Sequence, residues 1–378
     1  MSWNESNTIL YRLGKPKSKG APIVSFDMDH TLIKPKDGRK FPQNKKDWEW
    51  YINNPNLKKY IGCLSDKGYH IIIFSNQSGI SSGKTDKVDI TEKIDDIIKQ
   101  LDINNNISVF IATKSDIYRK PSKLIMDFAI KSLDITLGNN SFYCGDAAGR
   151  LKHGNIKKDF SCSDRKFASN CNLAFFTPEE LFEIDEIDSR KWEWGSVNPK
   201  ELLKEYSTTS NKDYIKRPNY QELVIMIGSP ASGKSTISKN ILKSNDKYKI
   251  VNQDELKTKT KCLNACIKYL NDGYSVILDR TNPKLNERKE FINLANRVGC
   301  KVNCIWVNTS PEMCEHLNMY RSHITKGERE PVPIIAMRIY RKNLEEPQLK
   351  EGYDNIDIIK PKIELKNEHE RDLFLQWY

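Results

Sequence analysis

A chain of 378 residues has room for two domains and is short for three. With 38% hydrophobic and 29% charged residues it has the composition of a water-soluble globular protein, and nothing in it approaches the ~18 consecutive apolar residues of a membrane span. The net charge of +11 favours a polyanionic partner through long-range steering but dictates no fold, and a generally lysine-rich composition accounts for it equally well.

The first twenty residues are polar and basic, and no signal peptide is recognisable among them. Apolar runs then alternate with amphipathic stretches. "PIVSFDMD", "YHIIIFSNQ", "ISVFIATK" and "SFYCGDAA" read as buried strands, and "DITEKIDDIIKQLDI" and "SKLIMDFAIKSLDI" read as helices between them. Near-continuous apolar strands separated by helices predict a parallel sheet covered on both faces, an α/β layered domain. Ligands bind such sheets beyond the carboxyl ends of their strands. Asp27, Asp29, Ser75, Lys120 and Asp146 all fall at or just past those ends.

Periodicity fades near residue 196, and "STTSNKDYIKRPNYQE" reads as a connection. The predicted division is a first domain over 1–195, a linker over 196–220 and a second domain over 221–378. That second α/β series starts with "LVIMIGSPASGKST" and continues through "YKIVNQDEL", "GYSVILDRTNP" and "CKVNCIWVN". No internal repeat relates the halves. The nine cysteines lack disulfide-like spacing, which suits an intracellular, reducing setting, nuclear or cytoplasmic. Cys262 with Cys266 and Cys300 with Cys304 lack the two-residue gap and paired histidines of structural zinc sites, so they read as buried thiols.

The clearest motif is the run Gly228, Ser229, Pro230, Ala231, Ser232, Gly233, Lys234, Ser235, which fits G-x-x-x-x-G-K-[ST] between a strand and a helix; Thr236 follows it. Its glycines let backbone N–H groups turn toward a triphosphate, and the helix N-terminus adds partial positive charge. Lys234 is placed to reach the β- and γ-phosphates of ATP, and Ser235 to hold Mg2+. Asp254 in "VNQDEL" stands where a kinase needs a base for its acceptor hydroxyl, a position that also suits a helix cap. Asp279 is a second acidic residue beside the loop. Arg321, Arg338 and Arg341 are the candidates for closing over the γ-phosphate.

In the first half, "SFDMDHTLIKP" places two carboxylates one residue apart at a strand end. Asp27 is the candidate nucleophile toward phosphorus and Asp29 its acid/base partner. Ser75 and Lys120 are placed to bind phosphoryl oxygens. Asp27 and Asp146 are the expected Mg2+ ligands, with Asp29 beside them, because hard oxygen donors suit that ion.

These phrases resemble known ones. "FDMDHTLI", "FSNQSGI", "RKPS" and "CGDAAGR" are similar to the motifs of haloacid dehalogenase-like phosphatases, whose first motif is normally D-x-D-G-T. The wider phrases "DGRKFPQNKKDWEWY", "KKDFSCSDRKFASN", "FFTPEELF", "LDRTNP" and "YRKNLEEPQLKEGY" resemble the bifunctional polynucleotide phosphatase/kinases, over about Ile23 to Tyr353. The resemblance implies a Rossmannoid phosphatase domain followed by a P-loop kinase domain. It also implies removal of 3′-phosphates from DNA termini, ATP-dependent phosphorylation of 5′-hydroxyls, and ends fit for a ligase. Nicks, gaps or single strands are the implied substrates, and a ligase or other repair protein the implied partner, for a chain taken as a monomer. Asp164 lies in a family phrase as a support for metal or fold.

His30 replaces the glycine of the first motif, and Gln253 and Arg280 replace the arginine and asparagine of the kinase phrases. No counterpart of the forkhead-associated domain of the animal enzymes is recognisable, so recruitment by that route is not expected. An RNA-end enzyme is the nearest alternative. A catalytically silent nucleic-acid scaffold has little need of the intact acidic and P-loop residues, and the net charge of +11 and the family phrases speak against a pair of fused small-metabolite enzymes.

Overall fold

The computed structural model describes the whole chain except residues 1, 40, 41, 43, 53, 54, 104, 105, 183–189 and 209–215. It divides into two compact units, Met1–Ser196 with Gln376–Tyr378, and Val197–Leu375. Helix Pro199–Ser207 occupies part of the stretch expected to be a linker, whose residues 209–215 lie outside the described residues.

In the first unit the strands are β1 (Asn4–Ser6), β2 (Ile9–Arg12), β3 (Ile23–Phe26), β4 (Ile33–Lys34), β5 (Glu49–Trp50), β6 (His70–Asn76), β7 (Ile107–Ala112), β8 (Phe142–Cys144) and β9 (Ala174–Phe176). Its helices are α1 (Pro55–Asp66), α2 (Lys87–Leu101), α3 (Leu124–Leu133), α4 (Ser163–Asn170) and α5 (Pro178–Leu181). The main sheet runs β1-β2-β7-β6-β3-β8-β9; β7 through β9 are parallel, and β1 and β2 add an antiparallel edge. Strand β6 shows why the sheet needs two covers. Ile71 and Ile73 join the apolar cluster with Ile61 of α1 and Ile94 of α2, whereas Ile72 and Phe74 join the cluster with Ile125 of α3 and Phe167 of α4. Side chains alternate across a strand, so a run apolar at every position must be buried twice.

The second unit contains α6 (Pro199–Ser207), β10 (Glu222–Ile227), α7 (Lys234–Ser244), β11 (Tyr248–Asn252), α8 (Gln253–Leu256), α9 (Lys259–Asn271), β12 (Ser275–Asp279), α10 (Leu285–Val298), β13 (Lys301–Val307), α11 (Pro311–Ile324), α12 (Ile334–Asn343), β14 (Asn355–Ile359) and α13 (Glu368–Phe374). Its sheet, β11-β12-β10-β13-β14, is parallel throughout. Helices α9 and α10 cover one face over Leu223, Ile225, Val276 and Leu278, and α7 covers the other over Val224, Met226 and Ile277.

In both sheets the strand before the key motif is central, and the chain continues on both sides of it: β3 lies between β6 and β8, and β10 between β12 and β13. The loops after such strands diverge and leave a crevice at their carboxyl ends. Among the described residues no helix is long and apolar enough to cross a membrane.

Candidate active sites

In the first unit, Asp27 follows β3 directly, its N–H donating to the Cys144 carbonyl at 2.9 Å as though the strand continued. Lys120 reaches the same point from the loop after β7. Its Nζ lies 2.5 Å from Asp27 Oδ1, 2.8 Å from Asp164 Oδ1, 2.7 Å from the Tyr143 hydroxyl and 3.0 Å from the Phe74 carbonyl. Asp164 enters from the first turn of α4, and its Oδ2 accepts from the Ala147 N–H at 3.0 Å. The approach is tight enough to dictate a glycine, because a Cβ on Gly145 would sit 2.5 Å from the Asp164 carboxyl carbon. Asp146 is tied in through Thr31, whose Oγ1 accepts the Asp146 N–H at 3.0 Å.

Carboxylate oxygens of Asp27, Asp146 and Asp164 lie within 4.8 Å of one another. Three carboxylates against one ammonium leave two negative charges in a buried setting, which a divalent cation with hard oxygen preference would balance. The titration behaviour of the bare cluster agrees. Burial raises Asp27 to about 7, opposed by Lys120 and reinforced by Asp164. Asp146 is raised by burial and then by Asp27. Burial opposes the charge on Lys120, but Asp164 and Asp27 outweigh it and hold the ammonium above its ordinary pKa. The residues therefore suit a divalent ion.

Asp29 stands apart from this trio. Its Oδ2 accepts from Gln77 Nε2 at 2.7 Å, and the same amide group donates to Ser75 Oγ at 2.9 Å. So the structure groups Asp164, not Asp29, with Asp27 and Asp146. His30 adopts φ +59°, the left-handed conformation that the usual glycine of this turn takes without strain. The turn keeps its backbone shape while gaining an imidazole.

In the second unit the loop from Gly228 to Ser235 joins β10 to α7. Gly233 caps α7 at φ +100°, and Ala231 is also left-handed at +61°. A Cβ on Gly228 would meet Ser232 Oγ at 2.7 Å and the Val307 carbonyl at 3.0 Å. Lys234 folds back over the loop, donating to the carbonyls of Gly228 at 2.9 Å and Ser229 at 2.7 Å. Burial lowers its pKa to about 8, against the pull of Asp279. Thr309, after β13, donates to the Ser232 carbonyl at 2.8 Å and braces the loop from behind.

Asp279, at the end of β12, is hydrogen-bonded by Ser235 and by Asn252 Nδ2 at 3.2 Å; burial raises its pKa. Asp254 is exposed. The cap of its helix is Asn252, which accepts the Asp254 N–H at 2.7 Å, so the capping alternative for Asp254 does not apply. Asp254 interacts electrostatically with both Lys234 and Arg321. Of the three arginines singled out, Arg321 is the one facing this group; Arg338 is exposed and Arg341 pairs with Glu315 at 3.3 Å. Arg329, which no motif marked, acts electrostatically on Asp279 and Arg321.

The departures at 253 and 280 turn out to be partners. Arg280 Nε donates to Gln253 Oε1, and the guanidinium lies 5.3 Å over Phe291 and 3.7 Å from Glu287. Register explains it: Asn252 pairs with Asp279 across β11 and β12, so the next residues meet on the α9/α10 side, away from the face carrying the loop. The four cysteines considered for zinc are buried free thiols, and among the described residues the aspartate trio is the only metal-competent group of its kind.

The fold and the two sites define a phosphatase joined to a P-loop kinase. Residues 22–182 match the polynucleotide kinase 3 phosphatase family and residues 259–347 match an AAA domain family. A putative bifunctional polynucleotide phosphatase/kinase of Acanthamoeba polyphaga mimivirus is 35% identical, over 95% of this chain and 90% of its own length. The bifunctional polynucleotide phosphatase/kinase of Schizosaccharomyces pombe is 33% identical, over 94% of this chain and 84% of its own. The polynucleotide 3′-phosphatase of Saccharomyces cerevisiae is 30% identical, over 43% of this chain and 88% of its own. The chain belongs to the bifunctional polynucleotide phosphatase/kinase family.

Proposed function

We propose that this protein repairs DNA termini, removing 3′-phosphates in its first unit and phosphorylating 5′-hydroxyls with ATP in its second. The observation that carries the reading is the coexistence, in one chain, of a buried Asp27–Lys120–Asp164 cluster and an intact phosphate loop with its own carboxylates.

In the phosphatase, Asp27 attacks phosphorus while Lys120 holds it in place and draws charge from the phosphoryl oxygens. The P–O3′ bond breaks as the bond to Asp27 forms, and Asp29 gives its proton to the departing 3′-oxygen. Asp29 then takes a proton from the water that opens the aspartyl-phosphate, and phosphate leaves. Ser75, whose hydroxyl accepts from Gln77, is the further proposed phosphoryl contact. Asp27, Asp146 and Asp164 would hold Mg2+, which when bound offsets charge on the phosphate and the carboxylates.

In the kinase, the loop N–H groups and Lys234 hold the β- and γ-phosphates of ATP, and Ser235 with Asp279 would hold its Mg2+. Asp254 orients the 5′-hydroxyl and accepts its proton, and Arg321 offsets charge on the transferring group.

The test is a DNA strand carrying both a 5′-hydroxyl and a 3′-phosphate, incubated with the full chain, Mg2+ and ATP, beside an RNA strand of the same sequence. Conversion of both DNA ends supports the reading. Conversion of RNA ends alone would reassign the substrate, and conversion of neither would refute it.

A further inference from the structure

Helix α2 buries Ile90, Lys93, Ile94, Ile97 and Leu101 along one stripe. Lys93 is out of place there: its side chain is 2% exposed, in a position where a leucine or methionine would complete an apolar face. A buried ammonium is unfavourable unless an opposite charge faces it. Among the described residues the one carboxylate within ion-pair distance is Asp29, whose Oδ1 lies 3.9 Å from Lys93 Nζ. The other oxygen of the same carboxyl group, Oδ2, accepts from Gln77. Asp29 is itself 32% exposed and sits on a turn, with no place in the Lys120 network.

We infer that Lys93 is a positioning residue for the acid/base Asp29, its ammonium facing one carboxyl oxygen at ion-pair distance while a Gln77 hydrogen bond holds the other. The inference rests on the acid/base reading of Asp29. A carboxyl group one-third open to solvent and free to turn would meet the leaving oxygen in few of its orientations. A hydrogen bond at one oxygen and an ion pair at the other narrow that freedom and aim the group. Lys120 serves the nucleophile; Lys93 serves the proton donor. The sequence gap between Asp29 and Lys93 is bridged by the fold, because α2 follows β6 and packs against the face of the sheet beneath the Asp29 turn.

The leaving group separates this role from a merely structural one. A 3′-deoxyribose oxygen needs a proton as it departs, whereas p-nitrophenolate leaves without one, and Asp27 attacks both phosphates alike. The full chain and its Lys93→Met, Lys93→Gln and Asp29→Asn variants would be compared in two rapid-mixing assays. One follows removal of a 3′-phosphate from a DNA strand in a single turnover; the other follows the first-turnover burst of p-nitrophenolate. Rates are normalised to burst amplitude, which counts sites with a competent nucleophile.

The expected result is a loss of about 30-fold or more on DNA in both Lys93 variants, a part of the ~10²–10⁴-fold that general acid catalysis supplies, and a burst rate within about threefold of wild type. Equal losses on both substrates, or no loss on DNA, would overturn the inference. Asp29→Asn keeps the two readings distinguishable. If it loses DNA turnover selectively while the Lys93 variants do not, Lys93 alone is misassigned. If Asp29→Asn itself retains DNA turnover, the acid/base reading of Asp29 falls and the inference with it.

Discussion

The two units handle phosphate in opposite ways. The phosphatase site gathers four separate segments onto one lysine, which meets two carboxylates, a tyrosine hydroxyl and a backbone carbonyl. The kinase's phosphate cradle is built from one continuous stretch of backbone, whose lysine bonds to its own loop carbonyls, with Asp254, Asp279 and Arg321 added around it. A side-chain site depends on the tertiary fold holding distant residues together; a backbone loop carries most of its geometry in its own sequence. Substitutions should therefore act differently in the two.

The sharpest break is Asp27→Asn, which removes the proposed nucleophile. Phosphatase turnover is expected to fall on the order of 10³-fold or more, with kinase turnover unchanged, measured on separate 3′-phosphate and 5′-hydroxyl strands. Lys234→Ala and Asp254→Asn are the mirror cases, each expected to lower kinase kcat by about 10²–10³-fold and to leave 3′-phosphate removal intact. Arg321→Ala should reduce kinase turnover by about tenfold to a hundredfold, whereas Arg338→Ala, at an exposed position, should leave it near wild type. Smallest in rate is Gly145→Ala. The added methyl collides with the Asp164 carboxyl group at 2.5 Å, so it should lower phosphatase turnover by about tenfold and destabilise the first unit by about 1–3 kcal/mol, read by thermal melting.

This contrast also explains what was legible in the sequence. The phosphate loop could be read in place because its chemistry lies in consecutive residues and its glycines answer to local φ values, as Gly233 at +100° shows. Strand ends marked Asp27, Lys120 and Asp146 for the same reason: apolar runs stop where ligands bind. Asp164 was harder, since it belongs to a helix and reaches the site only because Gly145 lets it approach. Lys93 and Gln77 were not recognisable at all. One is a lysine on an apolar stripe and the other a polar residue after a strand, and only the packing of α2 under the Asp29 turn gives them meaning. Arg280 is a motif departure whose side chain pairs with the other departure, Gln253, a pairing that strand register sets and that neither phrase shows alone. Helix α6 fell in a polar stretch, where Leu202 and Tyr206 pack with Met313 and Phe374, contacts that no local pattern announces.

The most direct measurement uses one nicked DNA duplex with a 3′-phosphate and a 5′-hydroxyl at the nick, ATP and Mg2+, and a ligase to report completion. Asp27→Asn and Lys234→Ala would be assayed singly and mixed. Each variant alone should repair only one end and give no sealed product, and the mixture should restore sealing. Sealing by either variant alone, or loss of both end reactions in one of them, would contradict the assignment of one chemistry to each site.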